Sequence, residues 1–533
     1  MSDSDLKPTV RPGIRWWPAV AIVSLVGITE WMLYLQFVRR EDTTLQQVSL
    51  LASGLLASAL LLLWWLFLSR AGWRLRLGGL ALLSAIVVGT IRFEGFGGDL
   101  TPQLSFRWSG GERSGGGPVG TAVEADPKNS FVDVYREYQV TERDCPGFRG
   151  AERDGIVTGH EYHAGWLKPA LVWRVPVGEG WSGITVVGPL TWTQEQRGDQ
   201  ETVVCRVAAT GQEVWLHADT VRFDEPMGGP GPRATPAYAK GRIYALGATG
   251  ILNCLDAATG GVFWKVDILA DSGARNLEWA MAGSPLLHDG LVIVSPGGRD
   301  GASLVAYDAD TGERRWSGGD AVAAYSSPQL FELGGVPQVL SFNGQGVFGH
   351  DPRTGTVLWD HPWTAPTKIN VAQPVRVDTG TVFLSTGYTK GSILLDVAAR
   401  DGRWTAEERW RSPRLKAKFN NFVLRAGHIY GLDEGILTCL EVQSGRRAWK
   451  NGRYGFGQLL LVGDILMIQA ESGDVVYVRA DPSGHAELGR FKALDSKTWN
   501  HPTIANGRLF VRNDREAACF QLDAITATGL ALE

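Results

Sequence analysis

A chain of 533 residues is longer than one ordinary hydrophobic core accommodates, so several domains or a repeat architecture is required. Its net charge of −4 offers no basic footprint, and no nucleic-acid partner is expected. With 67 glycines and 21 tryptophans against 5 methionines and 5 cysteines, the composition leans towards all-β repeats with tight turns and away from a disulfide framework.

The first 94 residues read as a membrane domain. Residues 16–38 are almost uncharged, interrupted by Glu30, and residues 48–69 carry no charge at all. Each run is long enough to cross a hydrocarbon core of roughly 30 Å as a helix. Glu30 reads as a carboxylate at the end of a tilted helix or facing a neighbouring one. A third, shorter apolar run at 76–92 has Arg76 and Arg92 at its ends, from which they can snorkel. Lys7, Arg11 and Arg15 precede the first run and Arg70, Arg74 and Arg76 follow the second, which places the N-terminus in the cytoplasm. Three spans then put the rest of the chain outside it. No small-residue cleavage site separates the first two runs, so a cleaved signal peptide is not expected.

Residues 95–144 turn polar and glycine-rich, with SGGERSGGG at 109–117, and read as a flexible linker. From 145 to 533 the chain repeats itself. A hairpin phrase recurs as TPAYAKGRIYAL from 235, SPLLHDGLVIVS from 284, QPVRVDTGTVFLS from 373, NFVLRAGHIYGL from 421 and HPTIANGRLFV from 501. A second phrase, with Asp and Thr-Gly at its turn, ends in a large aromatic residue. The closing positions are Trp173, Trp215, Trp264, Trp316, Trp359, Trp410, Trp449 and, with a weaker motif, Phe491, roughly 40–50 residues apart, as for four-stranded propeller blades. The strand at 170–175 has no hairpin before it, and the last hairpin has no strand after it. Pairing them closes an eight-bladed ring. The tryptophans at one fixed repeat position then pack between blades. Cys205, Cys254, Cys439 and Cys519 occupy a small-residue slot in four different blades, as buried hydrophobes.

The phrase A-x-D-x-x-T-G-x-x-x-W, complete at 306–316, resembles the tryptophan-docking motif of the pyrroloquinoline quinone (PQQ) repeat superfamily. That superfamily includes quinoprotein alcohol and glucose dehydrogenases and the outer-membrane protein assembly factor BamB. FRGAERDG at 148–155, EQRGD at 195–199, GPRATP at 231–236 and KTWNHP at 497–502 resemble one bacterial branch of it. The resemblance implies an all-β eight-bladed β-propeller of PQQ-repeat type, here preceded by transmembrane α-helices, and work outside the cytoplasm. It also implies a possible cofactor, PQQ with Ca²⁺. Alcohol-oxidising relatives carry adjacent cysteines over that cofactor, and this chain has no Cys-Cys pair. No calcium set or catalytic base is assignable, so no cofactor and no catalytic or metal-binding residue is assigned.

In a propeller the residues leading into each blade's first strand line the central channel. They include Trp181, Ser182, Thr235, Trp279, Tyr325, Ser326, Asn370, Gln373, Asn420, Tyr454 and Trp499. Arg233, Asn421, Arg453, Asn500 and His501 are the candidate ligand-binding residues, and the arginines with His501 could cradle an anion if they converge. Otherwise such groups bond to backbone and to channel water. Three functions compete. The leading one is a membrane-anchored, extracytoplasmic BamB-like scaffold in the bacterial inner membrane, with its propeller in the periplasm, binding an envelope protein or peptide. The others are a PQQ-dependent alcohol or sugar dehydrogenase, and a receptor for a small ligand or polysaccharide.

Overall fold

The computed structural model describes residues 14–40, 43–108 and 127–523, and the chain forms two compact units, Met1–Arg113 and Ser114–Glu533. The glycine-rich stretch 109–117 lies outside the described residues.

In the first unit, apolar composition produces three helices: α1 (Trp17–Arg40), α2 (Thr43–Leu63), which continues as a π-helical turn over Trp64–Leu68, and α3 (Trp73–Thr90). All three are long and apolar enough to cross a membrane. Glu30 on α1 accepts a hydrogen bond from Ser53 Oγ on α2, so this carboxylate is used between neighbouring helices. The third helix starts and stops earlier than the expected 76–92. From Ile91 the sequence IRFEGF alternates apolar with charged residues, a period of two, and the chain becomes strand β1 (Ile91–Phe96). It pairs antiparallel with β2 (Pro102–Phe106), Phe93 facing Leu104 and Ile91 facing Phe106.

Residues 95–144 are therefore not a structureless linker throughout. Besides the hairpin, Pro127–Glu137 forms α4. The buried Tyr135 of α4 fixes it to the propeller: its hydroxyl donates to the Val187 carbonyl and accepts from Leu190 N at 3.1 Å. Its ring lies 5.6 Å from Trp192 and 5.9 Å from Tyr238.

Among the described residues the second unit contains eight sheets in sequence order, each built on four antiparallel strands. Blade 1 comprises Thr185–Val187, Leu190–Arg197, Gln200–Val207 and Glu213–Asp219. Blades 2 to 7 begin with Ala237–Ala239, Leu286–His288, Gln329–Leu333, Val375–Arg376, Phe422–Arg425 and Gln458–Val462. Blade 8 takes Thr503–Ala505, Arg508–Arg512 and Glu516–Gln521 from the end of the chain, and its fourth strand, Ala170–Pro176, from the beginning. Cys519 faces Trp173 across that last pairing.

One contact recurs around the ring. The closing tryptophan of a blade donates its indole N–H to a carbonyl at the third-to-fourth-strand turn of the next blade. Trp173 reaches Ala208 at 2.9 Å, Trp215 reaches Ala257 at 3.0 Å, Trp264 reaches Ala309 at 3.0 Å and Trp316 reaches Pro352 at 3.0 Å. Trp410 and Trp449 do the same to Val442 and Asp481. The turn glycine lies flat on the indole ring: a Cβ on Gly312 would stand 2.7 Å from Trp264. Across the sheet most of these tryptophans face a small-residue slot, Cys205 with Trp215, Cys254 with Trp264, Ala306 with Trp316, Gly349 with Trp359 and Cys439 with Trp449, whereas Trp410 faces Leu394. All five cysteines are buried and free.

Two blades depart from the pattern. Blade 5 replaces the short third and fourth strands by a long hairpin, Gly391–Arg400 with Arg403–Ser412, and so lacks the Thr-Gly turn. Trp359 accordingly donates to Gln338 of its own blade, at 2.6 Å. Phe491 is not the closing residue of blade 7. It faces Val475, and the tryptophan register belongs to Gly489, opposite the bulky Tyr477. Large and small residues have exchanged strands, and the missing indole comes from elsewhere. Trp166, on the short helix Ala164–Leu167, is fully buried 6.2 Å from the Tyr477 ring, and its N–H points to Asp523 at 3.3 Å.

Gly312→Ala places a methyl group into the Trp264 ring, whereas Gly290, with the same left-handed backbone, faces open space. Gly312→Ala should therefore cost about 1–3 kcal/mol more than Gly290→Ala in chemical denaturation.

Candidate functional site

The channel wall is built from the residues that lead into the first strands, and their side chains stitch neighbouring blades together. Gly183 N of blade 1 donates to Thr235 Oγ1 of blade 2 at 3.1 Å. Thr235 N donates to Ser284 Oγ of blade 3 at 2.9 Å, and Ser284 N to Ser327 Oγ of blade 4 at 2.9 Å. With its amide oriented to satisfy both ends, Gln373 of blade 5 accepts from Ser327 N at 2.9 Å. Gln373 N then donates to Asn421 Oδ1 of blade 6 at 2.8 Å. Asn500, before blade 8, donates to Ser182 O at 2.8 Å and closes the belt onto blade 1. Each bond satisfies a buried backbone group that no sheet ladder reaches.

The five candidate ligand-binding residues do not converge. Asn421 and Asn500 belong to the belt. Arg233 is turned into its own loop, bonded to Glu225 Oε1 at 3.3 Å, to Gly229 O at 2.8 Å and to Gly231 O, over the Phe223 ring. Arg453 is exposed at the end of blade 6's last strand. His501 is buried beside Phe148, with Nδ1 2.9 Å from Pro502 O. Burial and the neighbouring Arg149 hold its pKa down to about 3, so it is neutral and supplies no charge to an anion. An anion cradle of Arg233, Arg453 and His501 is therefore not formed.

Two features were not legible as site elements. The first is a plug. FRGAERDG and its flanks cross the ring alongside the first strands. Cys145 N donates to Val186 O of blade 1, Tyr238 N of blade 2 to Pro146 O, and Gln329 Nε2 of blade 4 to Glu152 O. Arg153 donates to Ser284 O and Pro285 O of blade 3, at 3.0 and 2.8 Å, and Arg149 to Phe422 O of blade 6 at 2.8 Å. Ile156–Val157 adds a parallel strand to blade 7. Both arginines are buried with carbonyls as their partners, and desolvation lowers each pKa to about 10.

The second is an aromatic mouth formed by residues that precede the first strands. The Trp181 and Trp499 rings lie 4.8 Å apart, Phe419 lies 5.0 Å from Trp499, and Phe456 5.5 Å from Phe419. Trp279 and Tyr325 form a second pair at 5.8 Å. Lys497 Nζ sits 4.0 Å from the Trp499 centroid and 5.2 Å from Trp181, and burial lowers its pKa. Glu471 accepts the Trp499 indole N–H at 2.8 Å and Phe456 N at 3.0 Å, which fixes the rings. Trp181, Trp279, Tyr325 and Trp499 were visible in the sequence as residues leading into blades. Phe419, Phe456 and Lys497 were not, because only the ring brings them alongside.

The adjacent cysteine pair that the resemblance implies for alcohol oxidation is absent from the sequence. The five cysteines are buried in separate places, and among the described residues no three His, Cys, Asp or Glu side chains gather to hold a metal ion. The belt also commits channel amides and hydroxyls to backbone groups.

Thr235→Val removes one belt acceptor and should cost about 1–3 kcal/mol of stability by stranding a buried N–H. Stability should also depend on pH with two opposing signs. His501 is held at about 3 in the fold against 6.5 for the free group, so the unfolded chain takes up the proton first. Stability is lost as pH falls from 6.5 towards 3. Burial raises Glu201 from 4.5 to about 7, although it accepts from Ala248 N at 3.0 Å; its native form holds the proton longer, and stability is lost as pH rises from 4.5 to 7. Denaturation midpoints should show His501→Asn flattening the change between pH 7 and 4, and Glu201→Gln flattening that between pH 5 and 8.

A family model described as outer membrane protein assembly factor BamB matches residues 170–451. The outer membrane protein assembly factor BamB of Burkholderia pseudomallei is 23% identical over 362 residues, 65% of this chain and 87% of that protein. The quinohemoprotein alcohol dehydrogenase ADH-IIG of Pseudomonas putida is 34% identical over 83 residues, 15% of this chain and 11% of that protein. Among solved structures, the quinohemoprotein alcohol dehydrogenase of Comamonas testosteroni has a TM-score of 0.53 at 13% identity, covering 77% of this chain and 86% of that one, a likeness of fold. The family model spans more than half of the sequence and most of the ring of docked tryptophans, and the chain belongs to the BamB family of PQQ-repeat β-propellers.

Proposed function

We propose that this protein is an envelope scaffold: three spans anchor it in the bacterial inner membrane, and its propeller binds a protein or peptide on the extracytoplasmic side. The arginines at 70, 74 and 76 and the basic residues before the first span support a cytoplasmic N-terminus. The observation that carries the binding role is the aromatic mouth. Tryptophan and tyrosine are among the side chains that dominate the energetics of protein interfaces, and Trp181, Trp279, Tyr325 and Trp499 stand half-buried here. BamB relatives support an assembly role rather than catalysis.

Two measurements test this. Protease added to intact spheroplasts should separate the propeller from the helices; full-length chain that survives until the membrane is lysed would place the propeller in the cytoplasm. Photo-crosslinkers at Trp279 and Tyr325 in living cells should capture a protein partner, and Trp499→Ala should weaken the adduct by about tenfold, equivalent to 1.4 kcal/mol. Substrate-dependent dye reduction by the purified chain with PQQ, Ca²⁺ and an alcohol or sugar, with no adduct at the mouth, would replace the scaffold reading by a dehydrogenase.

A further inference from the structure

The β1–β2 hairpin is an unusual structure to find at the end of an apolar helix. Two strands alone are marginal in water, yet the hairpin carries large apolar side chains outward: Phe93 is 50% exposed, Leu104 61%, Phe106 57% and Trp108 67%. The register puts them together. Ile91 faces Phe106 and Phe93 faces Leu104, so these four residues share one face, while Arg92 and Ser105 face each other on the other. Phe96, beyond a bulge, packs edge-on to Phe93 at 5.1 Å, and Trp108 stacks on Phe106 at 5.5 Å and 14°. The face is thus a contiguous aromatic patch. It begins at the residue after Thr90, where α3 ends, and Arg107 N donates back to Thr90 O at 2.9 Å, which ties the hairpin's far strand to the helix terminus.

A helix long and apolar enough to cross a membrane ends at the membrane–water boundary, so whatever is tied to its last residue sits at that depth. Aromatic side chains favour that boundary, where their rings meet both acyl chains and headgroups. The edges of a two-stranded sheet, whose backbone groups need water or headgroup oxygens, exclude deeper insertion. We propose that the β1–β2 hairpin is an interfacial anchor whose aromatic face lies in the headgroup–acyl boundary of the same bilayer that α3 crosses. This rests on the reading of α3 as a span. The occupant of the patch is lipid, and the bulk of the hairpin lies flat along the membrane surface.

The five native cysteines are buried, so a single introduced cysteine in the full chain can be labelled with an environment-sensitive fluorophore. The labelled variants are Phe93→Cys and Leu104→Cys on the aromatic face, Arg92→Cys and Ser105→Cys on the other, and Ser84→Cys within α3. In vesicles containing shallow nitroxide lipids, labels at 93 and 104 should be quenched at least about twofold more than those at 92 and 105, as expected for insertion of 5–10 Å. Aqueous iodide should give the reverse order. Equal quenching at all four hairpin positions would overturn the proposal. Labels at 93 and 104 shielded from both lipid nitroxide and iodide would also overturn it, because protein would then cover the face. The label at 84 reports separately: it should be quenched by deep nitroxide lipids, and failure there would remove α3 as a span. Quenching at 84 without the alternation at 92–93 and 104–105 would sink the hairpin anchor alone.

Discussion

The indole that a blade lends to its neighbour is the contact on which the propeller depends. A four-stranded sheet has two apolar faces and cannot cover both by itself. In six blades the closing tryptophan donates its N–H to a turn carbonyl of the next blade that would otherwise be buried and unpaired, and in five of them a turn glycine lying on the ring sets the distance of approach. The residue facing the tryptophan is small in most blades, cysteine, alanine or glycine, while blade 5 with its long hairpin sets Leu394 opposite Trp410. Blade 7 shows that the constraint concerns volume and hydrogen bonding rather than position. There Gly489 and Tyr477 exchange sizes, and Trp166 arrives from another part of the chain to restore an indole to the space.

The polar belt does for the inside of the ring what the tryptophans do for its flanks. Backbone N–H groups at the start of the first strands lie beyond the ladders, and hydroxyl and amide oxygens from the next blade satisfy them. Channel residues committed in this way are poor ligand partners, since freeing one strands a buried donor. On the proposed reading the groups for recognition lie at the mouth, where Trp181, Trp279, Tyr325 and Trp499 are half exposed and an acidic side chain, Glu471, holds the Trp499 indole in place.

What the sequence revealed followed from how local each signal is. The Thr-Gly turns and closing tryptophans fall within a dozen residues of each other, so eight repeats and an all-β propeller could be read directly. Phe491 misled because the aromatic belonging to blade 7 is Trp166, more than 300 residues away in the chain. Helix α4 was read as linker because its sequence is mostly polar; its order comes from Tyr135 entering blade 1. Asn421, Asn500 and Gln373 were visible as polar channel residues, but the bond each makes is to a neighbouring blade and cannot be seen in one repeat. FRGAERDG was recognisable as a phrase, while the reach of Arg149 and Arg153 to blades 6 and 3 depends on the closed ring.

The origin of blade 8 from both ends of the chain sets an order of events. As synthesis proceeds, Ala170–Pro176 emerges long before Glu516–Gln521, and at 5–20 residues per second the delay is on the order of tens of seconds. Through that interval the strand has exposed backbone donors and apolar side chains, and the growing row of blades has no closing partner. Closure is the last step of assembly and the one at which an early strand from a second copy can compete for the same edge. The velcro of the ring is also its point of exchange: until Glu516–Gln521 is made, the edge that Ala170–Pro176 joins does not yet exist.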